Sequence, residues 1–156
     1  MIRSRHRRAA GAALVVAALA IGGTAQAGSP HAGKTIQLTE ADAQIKPVFA
    51  DTGDPGPTVG DLVIVRDSVL DADGEPAGTL NQACTLVELN GGPLTSSYEC
   101  SGSIALAAGT ITMQGPFVPA QAEQSAAVTG GTGAFEKARG QIVVRAEGDT
   151  LVVDLA

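Results

Sequence analysis

Aromatic and basic side chains are both scarce in this sequence of 156 residues. It contains no tryptophan, one tyrosine and three phenylalanines, so it offers few rings on which unpaired bases could stack. Only 10 lysines and arginines stand against 16 aspartates and glutamates, which gives a net charge of −6. Because nucleic-acid binding requires clustered cations to neutralise phosphates, we expect no nucleic-acid partner.

Histidine is nearly absent as well, which restricts the chemistry of any site. The chain has only His6 and His31, and a Ser-His-Asp or Cys-His site needs an imidazole to move protons near neutral pH. No two histidines or cysteines stand at metal-ligand spacing. The stretch from Asp71 to Gly74 resembles a calcium loop but is too short, and a hairpin turn is the alternative interpretation. We therefore expect neither a metal nor another cofactor.

A glycine-rich turn at residues 129–133 superficially resembles a dinucleotide-binding loop. Such a loop requires a following helix and a surrounding parallel sheet, and only 23 residues follow Gly133. No Gly-Lys-Ser or Gly-Lys-Thr sequence is present for a phosphate-binding loop either. The turn consequently does not predict a nucleotide site.

The N-terminus has the pattern of a secretory signal. Four arginines precede an apolar run over residues 9–21, and Ala25-Gln26-Ala27 supplies a cleavage site. The run is shorter than the roughly 20 residues needed to cross a bilayer, although a retained anchor is the alternative. Cleavage after Ala27 would leave one domain over residues 28–156, with 6 basic and 16 acidic residues and a net charge of −10. We expect an extracellular protein with no membrane attachment after cleavage.

The remainder reads almost wholly as β-structure. Glycine-rich and aspartate-rich turns separate eight predicted strands, a pattern typical of a sandwich or a closed antiparallel barrel. The predicted strands cover residues 35–40, 61–70, 77–89, 97–107, 110–117, 125–129, 140–146 and 150–155. Residues 47–57 contain three prolines and are predicted to form a long loop rather than a central strand.

The two cysteines are predicted to form a disulfide. A hairpin centred on Gly92 pairs residues whose numbers sum to 184, which places Cys84 opposite Cys100. Directly opposed residues of this kind have Cα atoms ~4.5 Å apart, within disulfide reach, and export provides an oxidising compartment. Two reduced, buried thiols are the alternative.

The same register separates an apolar face from a polar one. Alternation along the hairpin and the strand after it places one set of mostly apolar residues on a single side. That set comprises Leu80, Gln82, Cys84, Leu86, Tyr98, Cys100, Gly102, Ile104, Ile111, Met113, Gly115 and Phe117. In a barrel this side is the lumen, in which Gly102 and Gly115 are expected to leave room for a ligand.

The stretch from Gly130 to Gly140, G-G-T-G-A-F-E-K-A-R-G, resembles a motif of the allene oxide cyclase and dirigent barrel families. Gly60-Asp61, residues 67–71 and the glycine-bounded segment 109–115 extend that resemblance upstream. The resemblance implies an all-β, eight-stranded antiparallel barrel, a small hydrophobic or phenolic ligand, and assembly as a homodimer or homotrimer. Members use such lumens to steer cyclisation or coupling without a cofactor.

Polar residues near the expected lumen are the candidate catalytic groups. Asp67 matches the first acid of the dirigent D-D-P-L motif, although Ser68 and Val69 depart from it, and alternation leaves the face of Asp67 open. Arg139 matches the arginine of the A-R-G motif, but alternation places it outside unless a bulge intervenes. Tyr98 can donate from its hydroxyl.

The expected ligand-binding residues are Gln82, Ile104, Met113 and Phe117. A buried amide such as that of Gln82 must find a partner or a ligand. The leading hypothesis is a secreted barrel that binds a small apolar or phenolic molecule and orients it for cyclisation, isomerisation or coupling. The alternative is a non-catalytic exported binding or structural module with a packed lumen.

Overall fold

A computed structural model describes residues 33–41, 48–53, 55–145 and 149–156. The predicted signal segment and His31 lie outside these residues, as do Pro47 and Asp54 of the predicted loop. The strands are β1 (Lys34–Glu40), β2 (Val48–Ala50), β3 (Leu62–Leu70), β4 (Pro76–Glu88), β5 (Ser97–Leu106), β6 (Gly109–Phe117), β7 (Glu123–Gly131), β8 (Gly140–Arg145) and β9 (Thr150–Leu155). A single turn of 3₁₀ helix, Gly133–Phe135, follows β7.

The strands form one antiparallel sheet that closes into a barrel. Neighbouring strands pair in the order β1-β9-β8-β7-β6-β5-β4-β3-β2, and β1 also pairs with β3. This last pairing closes a ring of eight strands, β1 and β3 to β9, and confirms the barrel that the family resemblance implies over the sandwich that the turn spacing left open. The fold is therefore an eight-stranded antiparallel barrel.

The short strand β2 is a correction to the predicted loop over residues 47–57. Val48, Phe49 and Ala50 pair with Ile64, Val63 and Leu62, along the side of β3 that is not paired with β4. Prolines precede and follow β2 in the sequence without interrupting it. An edge strand tolerates nearby prolines because the backbone N–H groups on its outer side do not take part in hydrogen bonds to another strand.

Pairing in the central hairpin follows the predicted register. Leu80 pairs with Ile104, Gln82 with Gly102 and Leu86 with Tyr98. A bulge follows Leu86, so the ladder there shifts by one residue before Glu88. The predicted inward and outward faces of β4, β5 and β6 are confirmed over this region.

A disulfide joins Cys84 and Cys100, as predicted, with Cα atoms 4.0 Å apart. Both cysteines are buried and face the lumen. The bond therefore ties two neighbouring strands of the wall together from the inside.

One half of the barrel is filled by a packed core. The buried residues here come from all eight strands of the ring and from the 3₁₀ turn, and they include Ile104, Ile111 and Ile142 at 0% exposure. Phe135 closes this end, and Gly131 permits its approach because a Cβ on Gly131 would lie 2.3 Å from the Thr110 carbonyl oxygen and 2.5 Å from that of Phe135. The distinctive glycine-rich segment is thus the plug of the barrel, not a ligand-binding loop.

Asp71 explains the turn between β3 and β4. Its Oδ1 atom accepts hydrogen bonds from the backbone N–H groups of Asp73 at 2.9 Å and Glu75 at 3.0 Å. The segment is therefore a hairpin turn, the alternative to a calcium loop, because the Asp71 carboxylate accepts hydrogen bonds from the backbone of the turn.

Candidate functional site

The other half of the lumen is open. A cavity of about 510 Å³ extends from the packed core to the end formed by the β4–β5 and β6–β7 connections. Leu80, Met113 and Leu151 form its floor, because each belongs to the packed core and also faces the cavity. The cavity is a pocket with one closed end.

Its walls are mainly apolar and come from opposite sides of the barrel. Val63 and Val65 project from β3, Val144 from β8, and Phe117 from the end of β6. The disulfide adds two sulfur atoms to the same wall. Such a lining favours an apolar guest over a water-filled channel.

Gly102 and Gly115 face this region but do not leave room for a ligand, contrary to our expectation. A Cβ on Gly102 would lie 2.8 Å from the Asn81 carbonyl oxygen and 2.9 Å from Cε of Met113. A Cβ on Gly115 would lie 2.9 Å from Cα of Ala126. Both glycines let neighbouring strands approach closely. The open volume of the cavity is therefore not created by the missing side chains of these two glycines.

Tyr98 and Gln82 place polar groups on the cavity wall, as alternation predicts. The Tyr98 hydroxyl donates a hydrogen bond of 3.1 Å to the Pro93 carbonyl oxygen. Burial raises the pKa of Tyr98, so the phenol stays neutral at physiological pH. Its oxygen can still accept a hydrogen bond from a ligand.

Glu40 is the most unusual ionisable group on the wall. It follows the inward positions Ile36 and Leu38 along β1, and burial raises its pKa to about 7, with further contributions from the negative charges of Asp67 and Asp149. A carboxyl group with this pKa can both give and take a proton near neutral pH.

Asp67 points inward, which settles the face that the sequence left open. Val63, Val65 and Asp67 are partly buried, whereas the alternate residues Ile64 and Arg66 are exposed. The Oδ1 atom accepts a 2.7 Å hydrogen bond from the backbone N–H of Ser68, and the buried Oδ2 atom has no partner among the described residues. Asp67 therefore acts on Glu40 by its charge, from a position beside the cavity.

Arg145 is the one positively charged side chain among the described residues that line the cavity. Its Nε atom lies 2.9 Å from Oε2 of Glu123, and both side chains are about half exposed. The pair lies at the rim, where solvent screens its interaction.

The structure brings together most of the predicted site residues, but not all. Gln82, Tyr98, Met113 and Phe117 share the cavity wall. Ile104 is fully buried within the packed core instead. Arg139 is exposed on the outer side, as alternation suggested, and its Nη1 atom donates to the Ala138 carbonyl oxygen at 2.6 Å.

Glu40, Asp149 and Arg145 were not among the predicted site residues. Glu40 could have been found, because Ile36, Leu38 and Glu40 share one phase of an alternating strand. Asp149 and Arg145 flank the β8–β9 turn, and nothing in their local pattern places them at a cavity. Among the described residues, no group of three or more His, Cys, Asp or Glu side chains is arranged to hold a metal ion.

The sequence profile of the allene oxide cyclase barrel like domain matches residues 34–154. The chain belongs to this family. The match extends from the first residue of β1 to the penultimate residue of β9. No curated protein sequence matches the chain.

Solved structures with this fold include enzymes of different kinds. A pyocyanin demethylase is 26% identical, with a TM-score of 0.64, and the alignment covers 79% of this chain and 98% of the demethylase. A Diels–Alderase from Streptomyces koyangensis is 13% identical, with a TM-score of 0.55 and coverage of 83% and 72%. A pterocarpan synthase dirigent protein is 17% identical, with a TM-score of 0.53 and coverage of 78% and 83%. The last two share the fold alone.

Within the described residues, no helix is long and apolar enough to span a membrane.

Proposed function

We propose that this barrel binds one small apolar or aromatic molecule in the open half of its lumen and steers a cofactor-free reaction of that molecule. The observation that carries this proposal is the cavity of about 510 Å³ with an apolar lining and a closed floor. Ligand pockets commonly measure roughly 300–1,000 Å³, so the space suits one compact ligand.

The chemistry would combine orientation with proton transfer. Walls from opposite strands restrict how an apolar guest can lie, which lowers the entropy cost of reaching a reactive geometry. Glu40 supplies a carboxyl group with a pKa of about 7 on the same wall. It can donate a proton to a leaving or developing anion, or accept one, without a metal or an added base.

The comparison with the pyocyanin demethylase supports a small-molecule substrate. The name of that enzyme states that it acts on pyocyanin, and its structure aligns over 98% of its length with this chain. Pyocyanin is therefore the first compound to test for binding here.

We also propose that the chain is exported, because residues 1–27 have the pattern of a signal peptide and the disulfide is compatible with an oxidising compartment. Mass spectrometry of protein secreted by an expression host tests this, and a mature N-terminus at Gly28 is expected.

Filling the cavity tests the binding proposal. Val65→Phe adds a ring to a side chain that lines the lumen, whereas Ile64→Phe adds the same ring to the exposed face of the same strand. We expect Val65→Phe to weaken pyocyanin binding by at least tenfold, or about 1.4 kcal/mol, because the added ring occupies space that the bound ligand needs. Fluorescence or calorimetric titration measures the effect.

The control should bind as the unchanged protein does. Equal affinity of Val65→Phe, Ile64→Phe and the unchanged protein would show that the ligand does not enter the lumen. Such a result would favour the alternative of a non-catalytic module that acts through its outer surface.

A further inference from the structure

A second cavity, of about 300 Å³, adjoins the larger one at the open end of the barrel. Within the segment 51–61, the described residues Asp51, Gly56, Pro57 and Asp61 form one side of it, and Ala50 and Leu86 also contribute to its mainly apolar lining. Nothing in the sequence pattern predicts this space, because it forms between a loop and the ends of distant strands.

The two cavities share part of their walls. Phe49, Val63, Pro93 and Tyr98 line both of them. The hydrogen bond from the Tyr98 hydroxyl to the Pro93 carbonyl oxygen fixes two of these residues relative to each other. The cavities are consequently adjacent compartments that meet at these four residues.

The loop that covers the smaller cavity is held in place. The carboxylate of Asp61 accepts hydrogen bonds from the backbone N–H groups of Thr52 at 3.0 Å and Thr58 at 2.8 Å, and these bonds lower its pKa. The backbone of the loop also bonds to β4, since Gly60 donates to the Leu86 carbonyl oxygen and Leu86 donates to that of Asp61, both at 2.8 Å. The compartment therefore exists before any ligand arrives.

Phe49 lies at the junction of both compartments yet is 62% exposed. Burying an aromatic ring of this kind is favourable by roughly 25 cal/mol per Å² of apolar surface. A ligand that reached from one compartment into the other would cover this ring.

We propose that the smaller cavity is a second subsite that takes another ring or a short apolar arm of the same ligand. The inference rests on the proposed function, since the first ring must occupy the lumen. Asp51 and Asp61 line the smaller cavity, and their carboxylates disfavour an anionic arm. The ligand class is thus a two-part aromatic molecule whose second part carries no negative charge.

Two fluorescent probes separate the compartments. N-phenyl-1-naphthylamine has a naphthyl and a phenyl unit, and 1-naphthylamine has the naphthyl unit alone. We expect the two-part probe to bind at least tenfold more tightly, because its second ring finds an existing apolar space. Titration of the full chain by fluorescence measures both dissociation constants.

Ala50→Leu fills the smaller cavity from β2, and Val48→Leu is the matched control, since Val48 is 63% exposed and lines neither cavity. Ala50→Leu should weaken the two-part probe about tenfold and leave 1-naphthylamine unchanged. Val48→Leu should alter neither. Val65→Phe, which fills only the lumen, should weaken both probes.

These variants distinguish the two levels of the proposal. If Val65→Phe weakens both probes but Ala50→Leu affects them equally or not at all, the second subsite is wrong and the lumen site stands. If neither probe binds, or Val65→Phe changes nothing, both proposals fail.

Nuclear Overhauser contacts in the unchanged protein give an answer even if Ala50→Leu does not fold. Phenyl protons of the two-part probe should contact the Ala50 methyl group, and naphthyl protons should contact the Met113 methyl group. Phenyl contacts confined to lumen residues such as Met113 would overturn the inference.

Discussion

Glu40 shows how the surroundings of one residue can determine its chemistry. The side chain is an ordinary carboxyl group at the end of an amphipathic strand, but partial burial disfavours its charged form and two nearby carboxylates disfavour it further. Tyr98 provides a contrast, since burial keeps its phenol in the neutral form that it already has at physiological pH. Of these two groups, only Glu40 is poised to exchange a proton near neutral pH.

The raised pKa predicts a pH-dependent stability penalty. Below pH 4.5 Glu40 is protonated in both folded and unfolded chains, and between about 4.5 and 7 the unfolded chain loses the proton that the folded chain retains. The contribution of Glu40 to the free energy of unfolding therefore decreases as the pH rises from about 4.5 to 7. Glu40→Gln should stabilise the protein by about 1–2 kcal/mol at pH 8, after allowance for solvent screening, and by nothing at pH 4.

Urea denaturation at several pH values measures this difference. Glu136→Gln, on an exposed residue at the far end of the barrel, controls for the change in net charge. A difference between Glu40→Gln and the unchanged protein that did not grow with pH would contradict the assignment.

At the scale of elements, the β4–β5 hairpin is the most firmly joined part of the wall. Ten residue pairs connect the two strands, and the disulfide lies near the cavity end of the ladder. Because the crosslink closes a segment of 16 residues, it limits the freedom of the unfolded chain.

Reduction should therefore lower the free energy of unfolding by about 3 kcal/mol. Denaturation of the unchanged chain with and without a reducing agent measures this, and it avoids the packing changes that cysteine substitutions would bring. A chain without cysteines, Cys84→Ala with Cys100→Ala, should not respond to the reducing agent. A loss well under 1 kcal/mol would show that the unfolded chain gains little freedom from reduction.

At the scale of the whole molecule, the barrel closes at a seam between β1 and β3, which are joined by fewer residue pairs than any other neighbouring strands of the ring. Two residue pairs join these strands, Thr39 with Leu70 and Glu40 with Val69, together with one further bond from the Ala41 N–H to the Ser68 carbonyl oxygen. Glu40 lies in this seam and on the cavity wall at once. Opening of the seam would thus expose the candidate site.

Hydrogen exchange should reveal this difference. The Ala41 amide is expected to exchange at least tenfold faster than the amides of central β4 and β5, because few bonds must break to free it. A ligand bound in the lumen should slow the Ala41 amide more than the hairpin amides. Uniform protection around the ring would contradict a weak seam.

The sequence by itself determined the strand pattern, the hairpin register and the disulfide, because alternation and turn chemistry are local and act within a few residues. It also identified Tyr98, Gln82, Met113 and Phe117 as inward-facing. These assignments needed only the period of a strand and the position of one turn.

Only the tertiary structure decided which inward-facing residues line a cavity and which fill the core. Ile104 and Met113 share one face, yet the first is enclosed by the plug and the second forms the floor. The pKa of Glu40 likewise depends on Asp67 and Asp149, which lie far from it in sequence. Cavity shape and electrostatic coupling arise from contacts between distant strands, and no local pattern encodes them.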